Sequence, residues 1–289
     1  MSSHDYIYYD ALLNFEMCKT FATDVEDTPE YLAIFNVDNP NHHQSNFACR
    51  FRLKDEQSID GIIGDLEQNY RKDNLVPRFF VDERATPSMD AFENHFKKLG
   101  SSYTIEHCTD VIMKGKRPDQ SIDPLSMVKN LEAHQATSAS TKTATMDDLD
   151  VLVRVFSEAF GYQDDTEWLQ IKLAKQLSMP DQFKATVTQI HTGSGETVIT
   201  SASILYLPLA YPDLALLQTV GSDPKYQRSG LATASTLKVL QDFAGNRTVY
   251  LEVYDDIRHA QKLYQQIGFE VAGEFKFFRA DGIQTTHLI

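Results

Sequence analysis

A twelve-residue segment, Ser222 to Thr233 with the sequence SDPKYQRSGLAT, constrains the fold of this chain more than any other. It joins a predicted strand over 214–220 to a predicted helix over 229–244, and it enters that helix at Gly230 and Ala232. Small residues at a helix start leave several backbone N–H groups open at the positive end of the helix dipole, where phosphate groups bind. The segment therefore predicts an anion site, and a simple β-turn before a helix is the alternative.

Two basic residues in the segment, Lys225 and Arg228, favour the anion site in an otherwise acidic chain. The segment carries neither the G-K-[ST] ending of a Walker loop nor the G-x-G-x-x-G pattern of a Rossmann turn. Nucleotide hydrolysis and dinucleotide binding are therefore disfavoured.

Hydrophobic periodicity predicts an α+β domain, an α/β sandwich, around this segment. The predicted helices are 149–160 (between the N-cap Thr145 and Gly161), 168–177, 229–244 and 260–267, and the predicted strands are 183–190, 197–207, 214–220 and 249–254, followed by two closing strands with a turn at Asp281–Gly282. This order gives a mixed, mostly antiparallel sheet flanked by helices, with one βαβ crossover. The run at 135–145, QATSASTKTAT, is either a linker before this domain or its first strand.

The N-terminal half carries a weaker copy of the crossover. A helix is predicted over 58–72, a strand over 76–81, a helix with Met89, Phe92, Phe96 and Leu99 on one face, and a strand over 103–113. When Leu99-Gly100 is aligned with Ile267-Gly268, Phe96 stands opposite Tyr264. The pattern predicts an internal duplication with domains at 1–135 and 136–289, although any two βαβ pieces look alike at this level.

Composition limits the partners. Twenty-seven Lys plus Arg against 41 Asp plus Glu give a net charge of −14, which disfavours nucleic acid and anionic membranes. The same charge mildly favours a cationic acceptor, or it serves only solubility. The cysteines are scattered, no apolar run has the roughly 18 residues of a membrane span, and no leader pattern is present, so a cytoplasmic protein is expected. The pair His42-His43 is expected in a solvated loop rather than at a metal.

A carboxylate and a phenol form the candidate acid and base pair. Glu252 lies on a predicted strand, and Tyr264 lies on the helix twelve residues later. A helix that returns beside a splayed strand would bring both toward the gap where the sheet parts. Taken singly, Tyr264 also fits a packed core tyrosine, and Glu252 also fits a solvent-facing strand residue.

Together the two segments resemble the GCN5-related N-acetyltransferase (GNAT) family. The resemblance rests on P-x-Y-Q-x-x-G-L-A at 224–232, then L-E-V at 251–253 and A-x-x-L-Y-x-x-x-G-F at 260–269, within the element order from Thr141 to Ile289. It implies an N-acetyltransferase that moves an acetyl group from acetyl-CoA to a primary amine by direct attack on the thioester, without a metal. A catalytically silent CoA-binding or scaffold protein with the same fold is the alternative.

The resemblance also implies residue roles. Tyr264 would be the general acid and Glu252 the general base. The strand residues Thr219, Val220, Gly221 and Ser222 would pair with the pantetheine arm of CoA, and the loop residues Gln227, Arg228, Ser229, Gly230, Leu231, Ala232 and Thr233 would hold its pyrophosphate.

The sequence departs from the family at two places. Ile257 stands where the family often has an Asn that helps to bind CoA, and Ala232 stands where many members have Gly. The N-terminal half has Phe96 at the place of Tyr264 and three acids, Asp55, Glu56 and Asp60, before and within its first helix, so it is interpreted as a degenerate GNAT-like unit. The acceptor groove is expected to involve Tyr162, Asp164, Asp165 and Tyr206.

Overall fold

The computed structural model describes residues 3–283, and the side chains of 11–283. It divides into two compact units. The larger unit comprises the chain up to Asn14 together with Ile112–Gly273, and the smaller unit comprises Phe15–Val111 together with the chain from Glu274. The domain boundary between 135 and 136 stays a prediction.

The elements follow the predicted order. The helices are α1 (Ser3–Lys19), α2 (Gln57–Lys72), α3 (Met89–Lys98), α4 (Leu149–Phe160), α5 (Glu167–Leu177), α6 (Leu231–Val239) and α7 (Arg258–Gln266). The strands are β1 (Asp24–Asp27), β2 (Leu32–Phe35), β3 (Phe47–Cys49), β4 (Arg78–Asp82), β5 (Tyr103–Gly115), β6 (Ala136–Thr143), β7 (Phe183–Thr192), β8 (Thr197–Tyr206), β9 (Leu214–Ser222), β10 (Thr248–Tyr254) and β11 (Glu270–Gly282).

The larger unit has the mixed sheet that the sequence predicts, with helices around it. Its strands run in the order β10-β9-β8-β7-β6, and they pair antiparallel except for the parallel pair of β9 and β10. The Ser/Thr-rich run at 135–145 is the edge strand β6, so the first-strand interpretation is correct. The helix predicted over 229–244 is α6, which continues into a π-helical turn at Leu240–Ala244.

The sheet parts between β9 and β10. The two strands pair from Leu214 and Thr248 to Leu216 and Tyr250. β9 continues to Ser222 and β10 to Tyr254, but the described structure has no further pairs between these two strands. The β8–β9 register shifts by one residue at the same place, because Leu205 pairs with Leu217 while Ile204 pairs with Thr219. Such a bulge bends and twists its strand, which turns the end of β9 away from β10.

The smaller unit contains the predicted copy of the crossover. β3 and β4 pair in parallel at Ala48 and Phe79, and α2 connects them. Aromatic side chains fill its core, where Phe79 and Phe96 lie 5.1 Å apart between ring centroids and are 1% and 0% exposed. α1 and β1–β3 are elements that the sequence analysis did not predict.

The end of the chain corrects one prediction. The proposed turn at Asp281–Gly282 is wrong, because both residues belong to β11 and Asp281 pairs with Arg78 of β4. The alternating Phe275, Phe277 pattern continues the strand through this point, and a lone Asp-Gly pair does not interrupt a ladder that is held by a partner. The second closing strand would fall outside the described residues.

Candidate active site

The loop before α6 presents a row of open backbone amides. Among the described residues, the N–H groups of 228–233 make no backbone hydrogen bond, and the first amide of the region that does is that of Ala234, bonded to the Gly230 carbonyl at 3.0 Å. Arg228 and Gly230 both have left-handed backbone, with φ of +62° and +76°, on either side of Ser229. Alternating backbone hands turn successive N–H groups toward one point, which forms a concave anion site.

Gly230 is required by a second segment of the chain. A Cβ atom at this position would lie 2.0 Å from the Met127 carbonyl oxygen and 3.1 Å from the Val128 nitrogen. The Lys129 N–H donates to the Ser229 carbonyl at 3.1 Å, and His134 Nε2 lies 2.9 Å from Ser229 Oγ. We call Asp123–His134 the strap. The strap, rather than access for a ligand, explains glycine at this position.

An ion pair between half-exposed Arg154 and buried Asp223 fixes the start of the loop. Arg154 of α4 donates to Asp223 at 2.8 Å and to the Ile199 carbonyl at 2.7 Å. Asp223 in turn accepts from the Lys225 N–H at 2.9 Å. Behind it, Gly221 leaves room for α4, because a Cβ there would approach the Phe156 ring to 2.6 Å. The end of β9 and the start of the loop are therefore held by α4.

Glu252 lies on β10 beyond the point where the sheet parts, and its side chain is half-buried. Both of its carboxylate oxygens accept from the Asn14 side-chain amide, at 3.0 and 3.2 Å. Asn14 belongs to α1 and to the same compact unit. The sequence analysis missed Asn14, since it lies 238 residues before Glu252 and no local motif marks it.

Tyr264 lies on the buried face of α7 and is 9% exposed. Its ring packs on Phe269, with centroids 6.1 Å apart. Among the described residues its hydroxyl has no hydrogen-bond partner, and burial raises the pKa of this hydroxyl well above its ordinary value. Tyr264 therefore keeps its proton at neutral pH.

The helix carrying Tyr264 begins without a side-chain cap. Ile257 is the N-cap residue of α7, and its side chain supplies no capping hydrogen bond. The Gln261 side chain donates instead to the carbonyls of Tyr254 and Asp255, at 3.2 and 3.1 Å. The loop between β10 and α7 is thus held from within the helix, at the place where the sequence lacks the expected Asn.

The expected acceptor residues separate into two groups. Tyr162, Asp164 and Asp165 are exposed on the loop between α4 and α5, where the Tyr162 ring meets Trp168 edge-on at 5.1 Å. Tyr206 is only 2% exposed and packs on Phe183. The prediction that Tyr206 lines an acceptor groove is therefore wrong, because its side chain lies in the core.

One residue of the histidine pair departs from expectation, whereas His43 is exposed as expected. His42 is 1% exposed, with Nδ1 2.8 Å from Ser45 Oγ and its ring edge-on to Phe21, so it does not lie in a solvated loop. Within 3–283, no group of three or more His, Cys, Asp or Glu residues is arranged to hold a metal ion. No helix in that range is long and apolar enough to cross a membrane.

Known proteins resemble this chain over the range that holds the candidate site. Residues 151–269 match the model of the Acetyltransferase (GNAT) family. The chain is 31% identical over 126 residues, which are 43% of this chain and 76% of the relative, to the N-alpha-acetyltransferase RimI of Mycobacterium tuberculosis. The chain belongs to the GNAT family.

Two solved structures extend the likeness to the whole fold. A GCN5-related N-acetyltransferase from Kribbella flavida has a TM-score of 0.58 at 14% identity, with 98% of this chain and 96% of that one covered. A tandem GNAT protein from the clavulanic acid biosynthesis pathway has a TM-score of 0.51 at 13% identity, with 94% and 95% covered. The predicted GNAT-type fold, with a second such unit in tandem, is confirmed at the level of the fold.

Proposed function

We propose that this protein is an acetyl-CoA-dependent N-acetyltransferase that acetylates a primary amine. One observation carries the proposal: β9 and β10 separate after Leu216 and Tyr250, with the open amides of 228–233 following β9 and Glu252 on the separated part of β10. Donor-binding groups and a carboxylate thus lie on the two strands that border one gap.

The residues present fit the donor. The amides of 228–233 and the exposed Arg228 suit a pyrophosphate. The part of β9 that lacks a β10 partner, Thr219–Ser222, suits an extended arm with amide groups, which would bind as an added strand. Bound acetyl-CoA supplies an activated acyl carbon and a thiolate leaving group.

In the proposed reaction, Glu252 accepts the proton that the amine must lose, directly or through one water. The neutral amine then attacks the acyl carbon, the C–S bond breaks, and Tyr264 gives its proton to the leaving sulfur. Burial keeps the Tyr264 hydroxyl protonated at neutral pH, so the proton is present when the reaction begins. General acid and base catalysis of this kind typically contributes about 10²–10⁴-fold each.

The test is acetyl-CoA turnover, followed as free thiol, over a panel of amines: a peptide with a free N-terminus, a lysine peptide with a blocked N-terminus, and spermidine. Glu252→Gln and Tyr264→Phe are expected to lower turnover about 100-fold or more on the best acceptor. Glu196→Gln, in the exposed turn before β8, and Tyr70→Phe, which removes a buried hydroxyl from the smaller unit, are the matched controls. Full activity in Tyr264→Phe would remove it as the acid.

Donor binding needs its own variant. A change at Gly230 would disturb the strap, so it does not test the phosphate site. Ala232→Glu places a carboxylate in the first turn of α6, where the helix dipole tolerates it but a pyrophosphate does not. Calorimetric titration is expected to show micromolar acetyl-CoA binding that Ala232→Glu weakens at least 10-fold, while Ala232→Gln, of equal size and no charge, retains most of it.

A catalytically silent CoA-binding protein is the second candidate, and the uncapped Ile257 is the observation that favours it. Thiol release with the amine panel distinguishes the two candidate functions. Sustained thiol release with any amine of the panel excludes the silent protein, whereas binding with no release over the panel contradicts the proposed enzyme.

A further inference from the structure

We propose that Asn14 is a positioning residue for the active site: α1 supplies a side-chain amide that holds the Glu252 carboxylate in the orientation the reaction needs. The inference rests on the proposed function, in which Glu252 is the base. It adds a residue outside both family motifs and more than 100 positions before the matched range of 151–269.

The contact has the geometry of a clamp. One nitrogen, Asn14 Nδ2, lies 3.0 Å from one carboxylate oxygen of Glu252 and 3.2 Å from the other. A donor shared between both oxygens fixes the rotation of the carboxylate as well as its position. Without a clamp, a half-buried glutamate with three rotatable bonds samples several rotamers, and few of them aim the carboxylate at one point.

The chemical nature of the clamp matters. An amide is a neutral donor, so it lowers the basicity of the carboxylate less than a cation at the same distance would. A lysine or arginine here would form an ion pair and would reduce the tendency of Glu252 to take up a proton. Asparagine therefore combines orientation with retained basicity.

The same contact would also allow Asn14 to inhibit the enzyme, by occupying the place of the acceptor amine. The Asn14 amide is a donor group at hydrogen-bond distance from both carboxylate oxygens, as a bound ammonium group would be. If it blocked the acceptor, removing it would raise activity. We favour positioning because one nitrogen of Asn14 lies within hydrogen-bond distance of both carboxylate oxygens of Glu252, an arrangement that fixes the rotation of the carboxylate.

The experiment is a double-mutant cycle on turnover with acetyl-CoA and the best acceptor of the panel. Asn14→Ala is expected to lower kcat about 10-fold, with the KM for acetyl-CoA unchanged, since charged hydrogen bonds have about this effect. In the Glu252→Gln background, the same Asn14→Ala change is expected to cost nothing further, because there is no base left to position. A merely structural role would give the same fold-loss in both backgrounds.

Asn14→Asp guards against misfolding of the alanine variant. Aspartate has the size of asparagine but replaces the amide donor with a carboxylate that repels Glu252. The fall in kcat is therefore expected to be larger for Asn14→Asp than for Asn14→Ala. Asn69→Ala and Asn69→Asp, on an exposed position of α2, are the matched controls. A gain of activity in Asn14→Ala, or equal losses in both backgrounds, overturns the inference. Absence of turnover in the unaltered protein contradicts the proposed function itself, and the inference with it.

Discussion

The two units contain the same crossover, but the starts of their first helices differ. In the larger unit the amides before α6 are open, whereas in the smaller unit Asp55 accepts from the Ser58 N–H at 3.1 Å and from its hydroxyl at 2.8 Å. An internal carboxylate thus occupies the start of α2, where an anion would otherwise bind. The start of α2 is therefore satisfied by a side chain of its own loop, whereas the amides before α6 make no backbone hydrogen bond, although both units keep the crossover.

The loops before α2 and α6 each contain an arginine, and the two arginines differ in the same way as the helix starts. Arg50 and Arg228 both have left-handed backbone, with φ of +57° and +62°. Arg50 donates to Asp27 at 2.5 Å and to the Thr28 carbonyl at 2.6 Å. Arg228 is exposed, and it has no hydrogen-bond or ion-pair partner within the described part of the chain. One arginine is used by the fold, and the other is available to a ligand.

The largest effect on turnover is expected from a pair of reciprocal substitutions, Tyr264→Phe in α7 and Phe96→Tyr in α3. Tyr264→Phe is expected to lower kcat by about 10²-fold or more at unchanged acetyl-CoA affinity, because only the hydroxyl is lost. Phe96→Tyr places a hydroxyl in a core position that is 0% exposed, so it should cost about 1–3 kcal/mol of unfolding free energy and leave turnover unchanged. Turnover assays and urea unfolding check both, and an activity loss in Phe96→Tyr would break the division between the units.

The next effect contrasts two glycines. Gly230→Ala is expected to destabilise the protein by about 3 kcal/mol, because its Cβ meets the Met127 carbonyl and its backbone is left-handed. Gly61→Ala, inside α2 with open space around it, should stabilise by about 0.5–1 kcal/mol. Urea unfolding measures both free energies. An unchanged free energy of unfolding in Gly230→Ala would show that the strap moves away easily.

The two loop arginines give a third contrast. Arg228→Gln is expected to weaken acetyl-CoA binding about 10-fold with unchanged stability, as the loss of one charge-assisted contact to phosphate would do. Arg50→Gln should lower the melting temperature and leave acetyl-CoA affinity unchanged. Calorimetric titration and thermal melting separate the two results, and equal affinities in both variants would contradict the ligand role of Arg228.

Helix caps give a fourth, smaller contrast. α3 begins with Ser88, whose hydroxyl accepts from the Ala91 N–H at 3.2 Å, whereas α7 begins with the uncapped Ile257. Ser88→Ala should cost about 1 kcal/mol of unfolding free energy, and Ile257→Asn should add about 0.5 kcal/mol. If Ile257→Asn also tightens acetyl-CoA binding in the titration, the missing Asn limits the donor site; unchanged affinity would show that Gln261 has replaced it.

The smallest expected effect is on the pH dependence of stability, to which one carboxylate in each unit contributes. Burial, and next the adjacent Asp223, raise the pKa of Glu158, so its contribution to stability falls as pH rises through that pKa. The hydrogen bond from Lys19, and next that from Arg50, lower the pKa of Asp27, so its contribution is present at neutral pH and is lost as pH falls. At pH 7, Glu158→Gln should therefore stabilise and Asp27→Asn destabilise, each by a few tenths of a kcal/mol.

Stability curves from pH 3 to 8 check the signs. At the acid end the Glu158→Gln variant should approach the unaltered protein, because the raised pKa leaves Glu158 protonated there. The Asp27→Asn difference should shrink over the same range but persist further into acid, because the pKa of Asp27 is lowered. A Glu158→Gln variant that is less stable at pH 7 would show that the Arg154 pair outweighs the burial of the carboxyl group.

Local sequence was sufficient for much of the fold. The helix from Leu149 to Phe160 has a strong apolar stripe, the segment around Gly230 is marked by its sequence motif, and both elements are present as expected. The short strands β1–β3 and the helix α1 lack such patterns. β3 is only three residues long, and the length of β11 depends on pairing with β4, which no local rule contains.

The candidate site divides in the same way. The amide loop, Glu252 and Tyr264 were predicted because they lie in short motifs, and their roles stay predictions. Asn14 and the strap were missed, since each contact joins residues about 100 or more positions apart. The buried position of Tyr206 was missed because alternation along a strand does not tell a core tyrosine from a groove tyrosine.

The close approach of the Met127 carbonyl to Gly230 should also couple the evolution of two segments that lie far apart in the sequence. The strap reaches the α6 loop at three consecutive points, near Gly230, at the Ser229 carbonyl and at the Ser229 hydroxyl. An insertion or deletion within the strap, between Met127 and His134, would move these contacts out of register with one another. Relatives that carry a larger residue at the position of Gly230 should therefore also differ in the length of the strap, so that the two changes are inherited together.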